Sequence, residues 1–329
     1  MNIRKNSILF LFVFLVTLAR MYYVAFYLNA GDPQRYIALA ASAPNTTLFW
    51  GHYLANFDPF YWFFLYAIGS LTEKLLLPIS ALFFTFGYLS ITKALNCSRL
   101  ITLFIIILIM FPYNTMGNFI CGALRQTFAM SLMLVAIFSE FSLKKRCIFI
   151  ICAILSHSSM ILILSGYLFY IYSRKLVSII KTKYIKKKGL ILLIFLIFLT
   201  VIFMPNFEII VNNKLNQYVE ITAREKVMFG NGKLLYIFLH VLFVIYPYSS
   251  RSEAANLINI ISLIVYFQVI VLLFVDTALS VRVFNSMYYV SFVFFCHVFA
   301  KSVQRFFTKS AQRYRYQINE TSYKNVSGE

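Results

Sequence analysis

The residues that could do chemistry in this sequence are few and stand out against apolar surroundings. The ionisable candidates are Arg20, Asp32, Asp58, Arg125, Glu140, His157, Asp276 and Arg282, with Tyr36 and Gln126 close by in the chain. Arginine presents a planar fork of donors that suits a phosphate better than the point charge of lysine does. A carboxylate or an imidazole can take a proton from an attacking hydroxyl. Two or three arginines, two carboxylates and one histidine therefore describe a site for an anionic ligand whose reaction needs a base.

Each candidate also has a structural reading. Arg20, late in the first apolar run, either snorkels to the membrane interface or holds an anion. Gly31-Asp32-Pro33 reads as a turn, and Asp58-Pro59 as a helix start with Asp as N-cap and Pro at N1. Glu140 stands four residues before Lys144, a supportive helical spacing. His157 lies in Ser156-His157-Ser158-Ser159, where serines could satisfy a buried ring. Asp276 and Arg282 could close a turn as an ion pair.

The elements that must position these residues follow from composition. Hydrophobic residues make up 61% of the 329, aromatic residues 19% and charged residues 12%. That charged share is about half of what a soluble domain carries, and the apolar content excludes disorder. The net charge of +19 could suggest nucleic acid. The basic residues, however, fall in short bursts between long apolar runs, which is the patterning of a helical membrane protein. The fold expected is all-α, polytopic and integral to the membrane, with about 9–11 membrane helices.

Apolar runs cover 7–28, 75–91, 100–112, 124–141, 148–172, 190–204, 234–248, 254–275 and 283–300, with a shorter aromatic run at 58–71. The first has no small-residue cleavage site after it and reads as an uncleaved span. A full crossing needs about 20 residues, so several runs are short or broken. The basic clusters at 4–5, 93–99, 144–146, 174–188 and 301–329 carry +18 of the net +19. The positive-inside rule puts them in the cytoplasm, with both termini. Residues 29–58 and 205–232 lack a basic excess and become outer loops.

Two demands follow. Only one crossing fits between Asp58 and Lys93, so 59–71 should lie along the outer interface while 75–91 crosses. Both flanks of 148–172 are basic, so this run is either a re-entrant hairpin turning at the His157 serines or one span that breaks the rule. Residues 1–300 are expected to form one transmembrane domain, and 301–329 a basic cytoplasmic tail able to touch anionic lipid. No C-x-x-C, H-E-x-x-H or Walker A pattern occurs, so neither a metal nor a cofactor is expected. Arginines at an outer membrane face fit a lipid diphosphate, its tail in the bilayer and its head at their level.

Taken in order, Gly31-Asp32-x-x-x-Tyr36, Asp58-Pro59-Phe60, Leu124-Arg125-Gln126-Thr127-Phe128-Ala129, Lys144-Lys145-Arg146, Ser156-His157-Ser158-Ser159 and Arg282-x-x-x-x-x-Tyr288 resemble the EpsG/Wzy-type polysaccharide polymerases. The match runs from about residue 20 to 290, with Asp58 standing where that family commonly has Glu. The resemblance implies polymerisation of undecaprenyl-diphosphate-linked oligosaccharide repeat units at the outer face of a bacterial cytoplasmic membrane, making exopolysaccharide, capsule or O-antigen. It also implies similarity to lipid-dependent GT-C glycosyltransferases. The partners it implies are the lipid-linked oligosaccharide, membrane lipids, a chain-length regulator and a flippase, with no nucleic acid.

By the same resemblance, Arg125 and Arg282 would hold the donor diphosphate, and His157 or Asp32 would deprotonate the acceptor. Asp58, Gln126 and Tyr36 would position sugars or order the loop, with Arg20 and Asp276 as further binding residues. Arg125→Ala is expected to abolish chain growth without lowering protein level. An O-antigen-type ligase, a membrane acyltransferase and a lipid-linked glycan flippase remain the alternatives.

Overall fold

Apolar segments of this length must satisfy their backbone internally, and the helix is the solution available to a chain without strand alternation. The computed structural model describes residues 3–28, 32–42, 58–111, 115–179, 253–273, 284, 288, 290–294 and 296–298. The expected crossings at 190–204 and 234–248, the loop 205–232, the tail 301–329, Asp276 and Arg282 lie outside the described residues. The main elements are α1 (Ile3–Tyr22), α2 (Pro33–Ala41), α3 (Pro59–Leu71), α4 (Leu76–Ala94), α5 (Arg99–Met110), α6 (Thr115–Gly122), α7 (Leu124–Phe138), α8 (Leu143–Ser156), α9 (Met160–Ile179) and α10 (Glu253–Leu273). A π-helical turn, Tyr23–Tyr27, continues α1, and a 3-10 turn, Glu73–Leu75, leads into α4.

Among the described residues, three stretches are long and apolar enough to cross a bilayer: Ser7–Tyr27, Glu73–Ala94 and Glu253–Ile270. Shorter apolar helices accompany them. On α1, Ile8, Leu11 and Leu15 recur at helical spacing and stay 51–64% exposed. No described residue covers that face, and it suits lipid. The chain is an all-helical polytopic membrane protein.

Small residues set the closest approaches, as expected where lipid and core are equally apolar. A Cβ on Gly87 would lie 2.9 Å from Ser131 Cα, so α4 and α7 meet backbone to backbone. The two helices run parallel: farther along, Ser90 Oγ is 3.3 Å from Ser139 Oγ and Lys93 reaches Glu140. Glu140 thus pairs with Lys93, not Lys144. The helical spacing argument fails because residues 139–142 are not helical.

The break at His157 resolves the two readings of 148–172. Arg146 Nη1 donates to Tyr167 Oη at 3.0 Å. In one continuous helix these residues would sit about 31 Å apart along the axis. The chain therefore reverses at 157–159, and α8 with α9 forms a hairpin. At 14 residues, α8 is about 21 Å long, short of a roughly 30 Å hydrocarbon core.

The C-terminal half continues the alternation. Tyr170 Oη donates to the Glu253 carbonyl at 3.4 Å, a Cβ on Gly166 would meet Ile261 Cα at 3.0 Å, and Gln268 Nε2 lies 3.4 Å from Ser165 Oγ. These pairs make α9 and α10 antiparallel. Tyr266 then donates to Ser291 Oγ at 2.5 Å, and His297 Nδ1 comes within 3.2 Å of Cys97 Sγ. The chain so returns to the end of the bundle that holds Lys93 and Glu140.

Candidate functional site

At the opposite end, a break between α6 and α7 creates the centre of the site. Ala123 leaves helical geometry (φ −100°, ψ 61°), and Thr127 Oγ1 bridges the break by donating to the Ile120 carbonyl at 2.7 Å. In an unbroken helix the Gly122 carbonyl would accept from residue 126. Here it accepts the Asp32 backbone N–H at 2.9 Å. The start of α2 is thereby docked against the start of α7, which carries Arg125.

Arg125 Nη1 donates to Asp58 Oδ2 at 2.5 Å, and the two side chains are only 20% and 3% exposed. Asp58 does occupy the N-cap position of α3, with Pro59 in the first turn, but its side chain makes no capping bond. The expected cap is replaced by a buried ion pair, because a guanidinium offers a charged carboxylate a stronger bond than a backbone N–H does.

Arg20 joins this end from α1. It is 4% exposed, donates from Nη2 to Asn118 Oδ1 on α6, and lies over the Tyr23 ring at 5.0 Å. It does not snorkel. Gly117 lets α6 close on α5, since a Cβ there would stand 2.5 Å from the Ile109 carbonyl oxygen. Gln34 Nε2 donates to the Ala25 carbonyl at 2.9 Å and ties α2 to the π-helical turn beyond Arg20.

Tyr36, one turn into α2, is buried with its ring edge-on to Tyr61 at 5.2 Å. Burial pushes its hydroxyl up to about 12; Arg125 pulls it down, Asp32 raises it, Arg35 lowers it and Asp58 raises it. Those opposing influences put Asp32, Asp58 and Arg125 in one electrostatic neighbourhood, with Tyr36 a neutral hydroxyl in their midst. Gln126 is buried beside Arg125 in the first turn of α7.

His157 reaches the same end through topology. A four-residue link joins α7 to α8, and Arg146 Nη2 lies 3.5 Å from the Ser139 carbonyl, so the two helices run antiparallel. Arg125 opens α7 and His157 closes α8. The Ser159 N–H donates to His157 Nδ1 at 3.3 Å, and Ser159 Oγ lies 2.7 Å from the same nitrogen. With Nδ1 an acceptor, the neutral ring carries its proton on Nε2, a tautomer assigned from this network. The ring thus offers a donor rather than a ready base.

Two further residues belong to this cluster. Asn118 carries Arg20, and nothing in its short run flags it. Tyr61 is 0% exposed, and its hydroxyl has no hydrogen-bond partner among the described residues. Burying a hydroxyl unpaired costs about 1–3 kcal/mol in proteins. Its signal was hidden in Phe60-Tyr61-Trp62-Phe63-Phe64, which any interfacial aromatic belt resembles. Among the described residues no three of His, Cys, Asp or Glu converge as metal ligands.

The fold and this end of it define a class: a polytopic helical membrane protein with Arg20 and Asp58 buried, and Arg125 and Asp32 partly buried, at one end of the bundle. The EpsG family model matches residues 6–314, and the chain belongs to the EpsG family. That membership implies a role in polysaccharide biosynthesis. No curated protein and no solved structure gives a significant match.

Proposed function

We propose that the chain is a polysaccharide polymerase that joins undecaprenyl-diphosphate-linked repeat units. The observation that carries this reading is the gathering of buried Arg20, the Asp58–Arg125 pair, Asp32 and Tyr36 at the end of the bundle remote from Lys93. The basic clusters of the sequence favour placing that end at the outer face of a bacterial cytoplasmic membrane.

In this reading the donor's diphosphate lies against Arg125 and Arg20, with Arg282 and Asp276 keeping the binding roles the sequence suggests. A guanidinium has five N–H donors, so one bonded to Asp58 can still address a phosphate. The acceptor hydroxyl oxygen attacks the anomeric carbon of the donor chain, and the bond from that carbon to the diphosphate oxygen breaks. The proton passes to Asp32, because Asp58 is engaged by Arg125 and His157 Nδ1 by Ser159. His157 Nε2–H and the arginines meet the charge that develops on the leaving diphosphate. Gln126 and Tyr36 position the sugars.

The test is the size distribution of surface glycan in cells lacking the gene and in cells carrying His157→Ala. Single capped repeat units, with the long ladder gone in both, are expected. An unchanged ladder lacking an acyl group would point to an acyltransferase. Lipid-linked units trapped inside the cell would point to a flippase.

A further inference from the structure

A buried polar group without a partner is rare in a folded protein and calls for an absent water or ligand. Among the described residues Tyr61 Oη has no partner, and its surroundings say what would satisfy it. The ring is held on three sides, edge-on to Tyr36 at 5.2 Å, edge-on to Phe128 at 5.7 Å and against Phe64 at 5.7 Å. It cannot swing out to water without dismantling that packing. Phenylalanine occupies positions 60, 63 and 64 of the same helix, so packing alone does not require a hydroxyl at 61. Tyr36, Arg125 and Asp32 all act electrostatically on this hydroxyl. It therefore belongs to the cluster built around the Asp58–Arg125 pair.

We infer that Tyr61 is a ligand-positioning residue whose hydroxyl donates a hydrogen bond to a diphosphate oxygen of the molecule held at Arg125. The inference rests on the reading under Proposed function and adds a residue to it. A diphosphate oxygen suits the hydroxyl because it is a charged acceptor that the adjacent guanidinium would already hold in place. A hydrogen bond to a charged partner is the stronger kind.

Tyr61→Phe removes the hydroxyl and keeps the ring, so it tests the inference directly. The full-length chain in nanodiscs would be titrated with undecaprenyl diphosphate, with undecaprenol and with inorganic diphosphate, and its thermal unfolding recorded. We expect Tyr61→Phe to weaken undecaprenyl diphosphate binding roughly 10- to 100-fold, the scale of a hydrogen bond to a charged group. Undecaprenol binding should not change, and the unfolding temperature should hold or rise because an unpaired buried hydroxyl is gone. A parallel loss with inorganic diphosphate would locate the contact in the head alone; a loss confined to the lipid would tie it to lipid-linked ligand. Both support the inference. Unchanged undecaprenyl diphosphate binding, an equal loss for undecaprenol, or a lowered unfolding temperature would each overturn it and leave the polymerase reading standing. A wild-type chain that does not prefer undecaprenyl diphosphate over undecaprenol would overturn both.

Discussion

Each end of the helical bundle carries an acid–base pair, and the two pairs could hardly differ more. Asp58 and Arg125 meet at 2.5 Å with side chains 3% and 20% exposed. Lys93 and Glu140 meet at 3.5 Å with side chains 67% and 90% exposed. The first bridges elements 67 residues apart in the chain and sits among Asp32, Tyr36 and Tyr61. The second ties the end of α4 to the link between α7 and α8. Opposite charges in contact therefore have no fixed value: solvent weakens the exposed pair, while burial makes each member of the other pair depend on its partner.

The sharpest way to test this difference is to break the buried pair from both sides. Asp58→Ala removes the carboxylate that Arg125 Nη1 bonds, and Arg125→Ala removes that guanidinium from a carboxylate that is 2% exposed. Each should destabilise by about 3–5 kcal/mol, the usual cost of leaving one buried charge alone. The Asp58→Ala, Arg125→Ala double variant should lose much less than the sum, measured by thermal unfolding in detergent. This revises the expectation from sequence that Arg125→Ala would spare protein level. A double variant whose loss equals the sum would mean that the pair is not coupled.

The second test uses Tyr36, whose hydroxyl is held neutral by burial among the same charges. Its proton is released at about 12 in the folded chain against an ordinary 10.0. The folded state thus binds the proton more tightly, and the stabilisation is fully present below pH 10 and lost as pH rises through about 12. By linkage the contribution is about 2–3 kcal/mol. Tyr36→Phe has no proton to lose, so its unfolding temperature should fall less steeply than that of wild type over this window. Parallel curves would show that Tyr36 is not desolvated.

How much of this was legible beforehand differs by kind of information. The run that became α1 and the singularity of Arg125 were readable, because a charge in an apolar run is conspicuous whatever its partner. The partner was not readable. Asp58 looked like a helix cap, and locally it occupies the cap position; only the fold brings Arg125 close enough to divert its carboxylate. The reversal at His157 was readable as one of two options, since basic flanks constrain topology but not geometry. The Arg146–Tyr167 bond decides it. Asn118 gave no signal, being an isolated amide in a short helix, and Tyr61 could not be told apart as one ring among many. Glu140 shows the limit of spacing rules, which hold only where the chain between the two residues is helical.

The smallest effect belongs to the exposed pair and completes the comparison. Lys93 and Glu140 each keep most of their hydration, so their attraction replaces little that water did not already provide. Glu140→Gln should change stability by less than about 0.5 kcal/mol. Any change should shrink as salt is raised from low to physiological ionic strength, where the screening length falls to about 8 Å. The buried pair should lose far less over the same salt range, because little solvent reaches Asp58. Thermal unfolding of the Glu140→Gln and Asp58→Asn variants across a salt series reads both at once. If Glu140→Gln destabilised as much as Asp58→Asn, or if both responded to salt alike, burial would not be what distinguishes the two ends.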